Sequence, residues 1–178
     1  MILQLDNPLL RKRAKPVLKK DMGTPRLRLA LQRMKKALSA EESGVAIAAP
    51  QIGVSWRIFI IAGRAFEMEK ESSPEKTPIS QTRVFINPEI VRLSRATHEV
   101  SEGCLSVRGI YGIVSRHEKA TVRALNEAGE IFTYHGSGLI SQIFQHEIDH
   151  LEGVLYVDKA ERFEKESAQE NSSKTPQL

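Results

Sequence analysis

Two histidines four residues apart, with a glutamate directly after the first, constrain this chain more than any other feature: His146-Glu147-Ile148-Asp149-His150. On an α-helix residues four apart lie one turn above each other, so both imidazoles can reach one ion from the same face. The surrounding sequence has that helical form. Leu139 and Ile143 continue the stripe of His146 and His150, and the pattern predicts a helix from near Ser137-Gly138 through Leu151. Such a face lines an apolar cleft, where low polarity strengthens the pull of a metal and of Glu147 on a reacting carbonyl. Glu147, beside both histidines, is placed to act as general base toward water. The pattern also recurs by chance, but its position on the apolar stripe of a predicted helix weighs against coincidence.

Two imidazoles need a further ligand. A zinc site of the HExxHxxGxxH type would set a third histidine six residues after His150, and this chain has Gly153 but then Tyr156. A downstream glutamate is a second option, with Glu161, Glu164 and Glu166 lying close to the expected tail. The third option is Cys104, the single cysteine among 178 residues. A thiolate with two imidazoles leaves a fourth position open, the layout of a hydrolytic site. A lone cysteine is otherwise an inert buried residue as a rule. One cysteine also excludes an internal disulfide framework and any zinc finger that needs two thiolates, and no disulfide-linked partner is expected.

The remaining sequence bounds the fold. Hydrophobic residues make up 40% and charged residues 27%, the balance of a globular chain of one domain. No run approaches the roughly 18 apolar residues of a membrane span. The start, Met1-Ile2-Leu3-Gln4, has no secretory pattern, so a cytoplasmic, reducing location is expected and no membrane partner. The net charge of +4 is uneven: residues 1–40 hold eleven Lys or Arg against Asp6 and Asp21, a balance of +9, which leaves −5 for the rest. That basic surface could meet the ribosome or RNA. A solvated helix face is the simpler reading, because residues 1–40 contain no aromatic side chain for bases to stack on.

Thr24-Pro25 reads as an N-cap with proline at the first helical position. Behind it Leu27, Ala30, Leu31, Met34, Ala37 and Leu38 form an apolar stripe. Arg57–Ala62, Val84–Ile86 and Glu89–Leu93 read as short strands, and Ala120–Ala124 and Glu130–His135 as a hairpin turning at Asn126–Gly129. Residues 67–80 are expected to form an exposed loop or insertion, Lys159–Glu166 a short helix, and residues 167–178 a disordered polar tail. The fold class is α+β: short, mostly antiparallel strands packed around a central helix that carries HExxH, in one domain over residues 1–166.

Three stretches together resemble one family. Gly44-Val45-Ala46-Ile47-Ala48-Ala49-Pro50-Gln51 matches a GxGxAAxQ motif, Glu102-Gly103-Cys104-Leu105-Ser106 a second, and Gln145–Gly153 the third. In this order and spacing they are similar to the peptide deformylases. The resemblance implies a hydrolase that removes formate from the N-formylmethionine of newly made polypeptides. It implies one divalent ion per chain on Cys104, His146 and His150, usually Fe2+, with Zn2+, Ni2+ or Co2+ as substitutes. Glu147 matches the catalytic acid/base, and Gln51 and the Leu105 N–H match the oxyanion donors. Gly44, Val45 and Gly103 fall where an extended peptide pairs with the backbone. Val100, Leu139, Gln142, Ile143 and His146 fall at the methionine pocket, and Glu102 and Arg116 match a structural ion pair beneath the site.

Two positions depart from the family pattern. Ala46 stands where the second glycine is usual, and Arg108 where proline usually follows the CLSV run. A methyl group at Ala46 is harmless at negative φ and narrows the cleft if a backbone crosses closely. Two other readings therefore stay open beside the deformylase: a related hydrolase of weakened or altered specificity, and a non-catalytic homologue that binds RNA or the ribosome.

Overall fold

Runs that are apolar at every position leave a strand no polar face, and Ile58-Phe59-Ile60-Ile61 is such a run. The computed structural model, which describes residues 1–70, 81–165 and 177–178, places it between two apolar layers. In chain order the elements are α1 (Pro25–Ser39), β1 (Ala46–Ala48), β2 (Ile58–Ile61), α2 (Gly63–Lys70), β3 (Arg83–Leu93), β4 (Thr97–Cys104), β5 (Val107–His117), β6 (Lys119–Leu125), β7 (Ile131–Ser137), α3 (Gly138–Glu152) and β8 (Arg162–Lys165).

The strands form two antiparallel sheets, one ordered β1-β2-β3-β6-β7 and the other β4-β5-β8. Alternate residues of a strand point to opposite faces. Phe59 and Ile61 accordingly join Ile140, Ile143 and Phe144 of α3 in one apolar cluster. Ile58 and Ile60 join Leu27, Leu31, Met34 and Leu38 of α1 in another. The larger sheet is thus a middle layer with a helix on each face. Phe85 of β3 stacks on Phe59 with ring centroids 4.6 Å apart and meets the Phe144 ring edge-on at 5.4 Å. Such offset and edge-on pairs add about 0.5–1.5 kcal/mol beyond their buried area.

The N-cap of α1 forms as read: the Thr24 hydroxyl accepts the Leu27 N–H at 3.3 Å, and Pro25 opens the helix. Residues 1–17 run as a strap across the body. Ala14 N–H donates to Leu151 O, and Arg57 N–H donates to Lys15 O, both at 2.8 Å. Gly153 ends α3 with φ +78°, where a Cβ atom would lie 2.7 Å from the Arg11 carbonyl oxygen.

Four expectations change. Val84–Ile86 and Glu89–Leu93 are one strand, β3, whose register shifts between Ile86 and Glu89. Asn87 supplies the break with φ +50°, and its side-chain amide exchanges hydrogen bonds with the Val17 N–H and carbonyl, both at 2.8 Å. Of the loop expected at 67–80, Glu67–Lys70 instead continue α2, and 71–80 lie outside the described residues. Of the short helix expected at Lys159–Glu166, Arg162–Lys165 pair with β5 as β8, because an open strand edge is available there. Of the tail expected to be disordered over 167–178, residues 167–176 lie outside the described set. Gln177 and Leu178 are placed, with Leu178 only 1% exposed.

Replacing Gly153 by Ala forces a Cβ into the left-handed region and against the Arg11 carbonyl. The variant is expected to lose about 2 kcal/mol or more in urea unfolding, seen as a lower midpoint at unchanged slope.

Candidate active site

Cys104 ends β4, and His146 and His150 lie one turn apart on α3. The packing of the second sheet against that helix brings their ligand atoms within 4.8 Å of one another. Cys104 Sγ lies 3.2 Å from His150 Nε2, and all three residues are buried. The β4–β5 register shifts between Glu102 and Cys104. A bulge of this kind re-aims side chains, and both Glu102 and Cys104 end up buried at the site. At Leu105-Ser106 the chain turns back into β5, and the Ser106 N–H donates to Cys104 Sγ at 3.4 Å.

Beneath this cluster lies an ion network. Arg116 of β5 holds Glu102 in a bidentate pair, Nε to Oε1 at 2.7 Å and Nη2 to Oε2 at 2.9 Å. Its remaining nitrogen, Nη1, donates to Asp149 Oδ2 at 2.7 Å. Glu102 Oε2 also meets His146 Nδ1 at 2.9 Å. That contact puts the proton on Nδ1 and leaves Nε2 as the lone pair that points into the cluster. Burial alone would raise the Glu102 carboxyl, but the His146 and Arg116 contacts outweigh it and hold the group at about 2.

The charges inside the cluster run the other way. Burial pushes the Cys104 thiol well up and the Glu147 carboxyl well up, the latter helped by the charge of Glu102. Burial, with the neighbouring His146, pushes His150 well down. Both Glu147 oxygens, His146 Nε2 and His150 Nδ1 have no hydrogen-bond partner. Buried polar atoms are rarely left so. Two imidazoles with a ring nitrogen facing the cluster, one of them pushed toward its neutral form, and a buried thiol that only a cation would ionise are what a divalent metal requires. The three residues fit such an ion.

Gln51 sits at the mouth of the cluster, on the turn after β1. Its carbonyl accepts the Ala48 N–H at 2.7 Å. That bond aims the amide nitrogen at Ser106 Oγ, 3.1 Å away, with Cys104 Sγ at 3.6 Å. Val45 and Gly103 lie on β1 and β4 flanks that face each other, and Gly44 is buried beside Leu105 and Leu38. Ile143 is buried and Leu139 partly so, in one cluster with Val45. Gln142 donates to the Ser101 carbonyl at 3.1 Å, and Val100 is half-buried on β4. Ala46 pairs with Ile61, and among the described non-glycine residues only Asn87 has positive φ, so its methyl group packs in the core without strain. Arg108 is exposed and pairs with Glu41 at 2.7 Å.

Several contributors escaped the sequence reading. Asp149 occupies one of the free positions of the motif yet shares Arg116 with Glu102. Tyr156, rejected above as a ligand position, stacks on His146 with centroids 6.1 Å apart and donates to the Ile110 carbonyl. Ser106 takes the Gln51 amide. Tyr111 covers Gly103 so closely that a Cβ there would come within 2.7 Å of its ring.

Comparisons with known proteins bear on all of this. The family model described as polypeptide deformylase matches residues 1–166. The chain is 41% identical to a peptide deformylase of Desulforudis audaxviator over 160 residues, covering 89% of this chain and 92% of that one. It is 38% identical to that of Carboxydothermus hydrogenoformans, covering 90% and 92%. Among solved structures, the peptide deformylase of Thermotoga maritima aligns with a TM-score of 0.76 and 33% identity, covering 91% of this chain and 97% of that one. A Met-Ala-Ser-bound class I type b peptide deformylase of Acinetobacter baumannii aligns with a TM-score of 0.78 and 32% identity, covering 89% and 96%.

Two outcomes follow from the ion network. Arg116→Met strands Glu102 without its cation, and removing one partner of a buried pair costs about 3–5 kcal/mol in urea unfolding. The metal-free protein should also owe part of its acid sensitivity to Glu102. A depressed carboxyl stabilises above its ordinary 4.5, and that stability is lost as pH falls through about 2. Glu102→Gln is expected to flatten the stability profile across that window, as read by circular dichroism.

Proposed function

The chain belongs to the polypeptide deformylase family, hydrolases of N-formylmethionine at peptide N-termini, and from this and the site geometry we infer how its residues share the work. Cys104, as thiolate, with His146 and His150 through neutral imidazole nitrogens, would hold one divalent metal. Bound there, the metal would supply Lewis acidity toward the formyl oxygen and toward water.

Everything else falls to the chain. Glu147 takes the proton of the attacking water and passes it to the departing amine nitrogen, as base and then acid. Burial, with the charge of Glu102, pushes its carboxyl well up from the ordinary carboxylate range, the direction that favours its holding the proton between the two transfers. Water adds to the formyl carbon, the carbon–nitrogen bond breaks, and formate and a free amino terminus leave. The Gln51 amide and the Leu105 N–H donate to the oxyanion that builds up on the formyl oxygen. Gly44, Val45 and Gly103 offer backbone groups to an extended peptide. Val100, Leu139, Gln142, Ile143 and His146 line the place for the methionine side chain. A formyl carbon carries only hydrogen, so it can enter where an ordinary peptide carbonyl is too bulky.

The metal proposed is Fe2+, with Zn2+, Ni2+ or Co2+ able to replace it, in a cytoplasmic and reducing setting that protects both thiolate and ferrous ion. No helix among the described residues is long and apolar enough to cross a membrane. The ribosome is proposed as a partner through basic surface that includes Lys12, Lys15, Lys19, Lys20 and Lys36, which are exposed and have no side-chain partner among the described residues; Arg13 and Lys35 are paired with Glu152 and Glu127. Ala46 and Arg108 are accommodated without touching a ligand, which favours the deformylase over a homologue of altered specificity.

The observation that carries this reading is the convergence of Cys104, His146, His150 and the unpartnered Glu147. Protein prepared without oxygen and loaded with iron is expected to release formate from formyl-Met-Ala-Ser. Glu147→Gln should keep the metal by elemental analysis and lose about 10²-fold or more in kcat. Cys104→Ala should lose the metal itself. Turnover that survives Glu147→Gln would sink the assignment.

A further inference from the structure

β1 ends one sheet and β4 ends the other, and the gap between these two open edges is one strand wide. A strand laid there gains main-chain hydrogen bonds on both sides. The chain itself supplies one. Gln177 bridges in parallel to Gly44 on one side and Gly103 on the other. Val45 N–H donates to Gln177 O at 2.9 Å and Gln177 N–H to Ser43 O at 3.1 Å, while Leu178 N–H donates to Gly103 O at 3.1 Å. The fourth bond is the telling one: Leu105 N–H donates to Leu178 O at 2.9 Å.

We propose that Gln177–Leu178 is a resident ligand of the peptide cleft, an extended strand of the chain's own sequence that competes with substrate for Val45, Gly103 and Leu105. The proposal rests on the reading of that cleft as the substrate site. Of the groups it uses, Val45 and Gly103 are assigned above to the peptide and the Leu105 N–H to the oxyanion, so both cannot be bound at once. The side chains fit as well. Leu178 is buried in the apolar cluster that contains Val45 and Ile143, with Leu139 packed against it. Leucine is close to methionine in volume and polarity. Gln177 Nε2 donates to Tyr111 Oη at 3.2 Å, which ties the segment to the ring that covers Gly103.

Tyr111 also explains why the occupant is this chain and not another copy. It pairs with Glu164 of β8, one residue before that strand ends, and it holds Gln177. The eleven residues 166–176 that separate the end of β8 from Gln177 could reach roughly 40 Å if extended, far more than the two sides of one tyrosine require. A tether of this length sets an effective concentration on the order of millimolar. A dipeptide strand with millimolar affinity would then fill about half of the clefts.

The test compares the full chain with a variant ending at residue 176, both iron-loaded. Deletion is expected to lower KM for formyl-Met-Ala-Ser by about two- to tenfold at unchanged kcat. Amide hydrogen exchange at Val45 and Leu105 should accelerate, a readout that needs no turnover. A synthetic peptide of residues 171–178 should inhibit the shortened chain competitively, and the same peptide with Leu178→Asp should not. Unchanged exchange and unchanged KM on deletion would overturn the proposal. A KM that rises with enzyme concentration in the full chain would assign the strand to a second copy and overturn it too. If neither protein releases formate while exchange still accelerates on deletion, the inserted strand stands and the deformylase reading falls.

Discussion

Glu102 is the constraint on which the site depends. It is a carboxylate buried with both oxygens engaged, one by Arg116 alone and one shared between Arg116 and His146. Removing a carboxylate from water is costly, and the bidentate guanidinium is what makes it tolerable here. The same group, two residues before Cys104 in the chain, then fixes the tautomer and the ring orientation of His146 on α3. A single buried anion thereby ties β4, β5 and α3 together, and Asp149 on α3 closes the network through the third nitrogen of Arg116. Packing alone would position the helix to within a rotation. The network removes that freedom.

The local features of the fold were legible because their physics is local. A cap, a proline at the first turn and a stripe of leucines make α1 wherever they occur, and the bounds of α3 follow from its stripe and from Gly153. What misled was pairing at a distance. Arg162–Lys165 has no strong strand signature, and it becomes a strand because β5 offers an edge. Asn87-Pro88 reads as a break between strands, yet the side chain of Asn87 binds Val17 and lets β3 continue through it.

The site divides in the same way. His146, Glu147 and His150 announce themselves by spacing on one helix. Cys104 gains meaning only from its neighbours and from resemblance, since a single thiol carries no periodicity. Asp149, Ser106, Tyr111 and Tyr156 act through contacts between elements far apart in sequence, which no window of residues contains. Leu178 is the extreme case: one apolar residue after a polar stretch, buried by a slot that two separate sheets create.

The residues proposed to hold the metal come from a strand of one sheet and from a helix packed on the other, forty-two residues apart at their nearest. Neither sheet alone holds three of them. Full affinity for an ion would therefore be created only when the second sheet docks, and the energy of ligation would be returned to that docking step. A divalent metal held there would work as a checkpoint on assembly: with the halves apart only the two imidazoles of α3 remain to hold it, and a chain that has captured it would be hard to pull open.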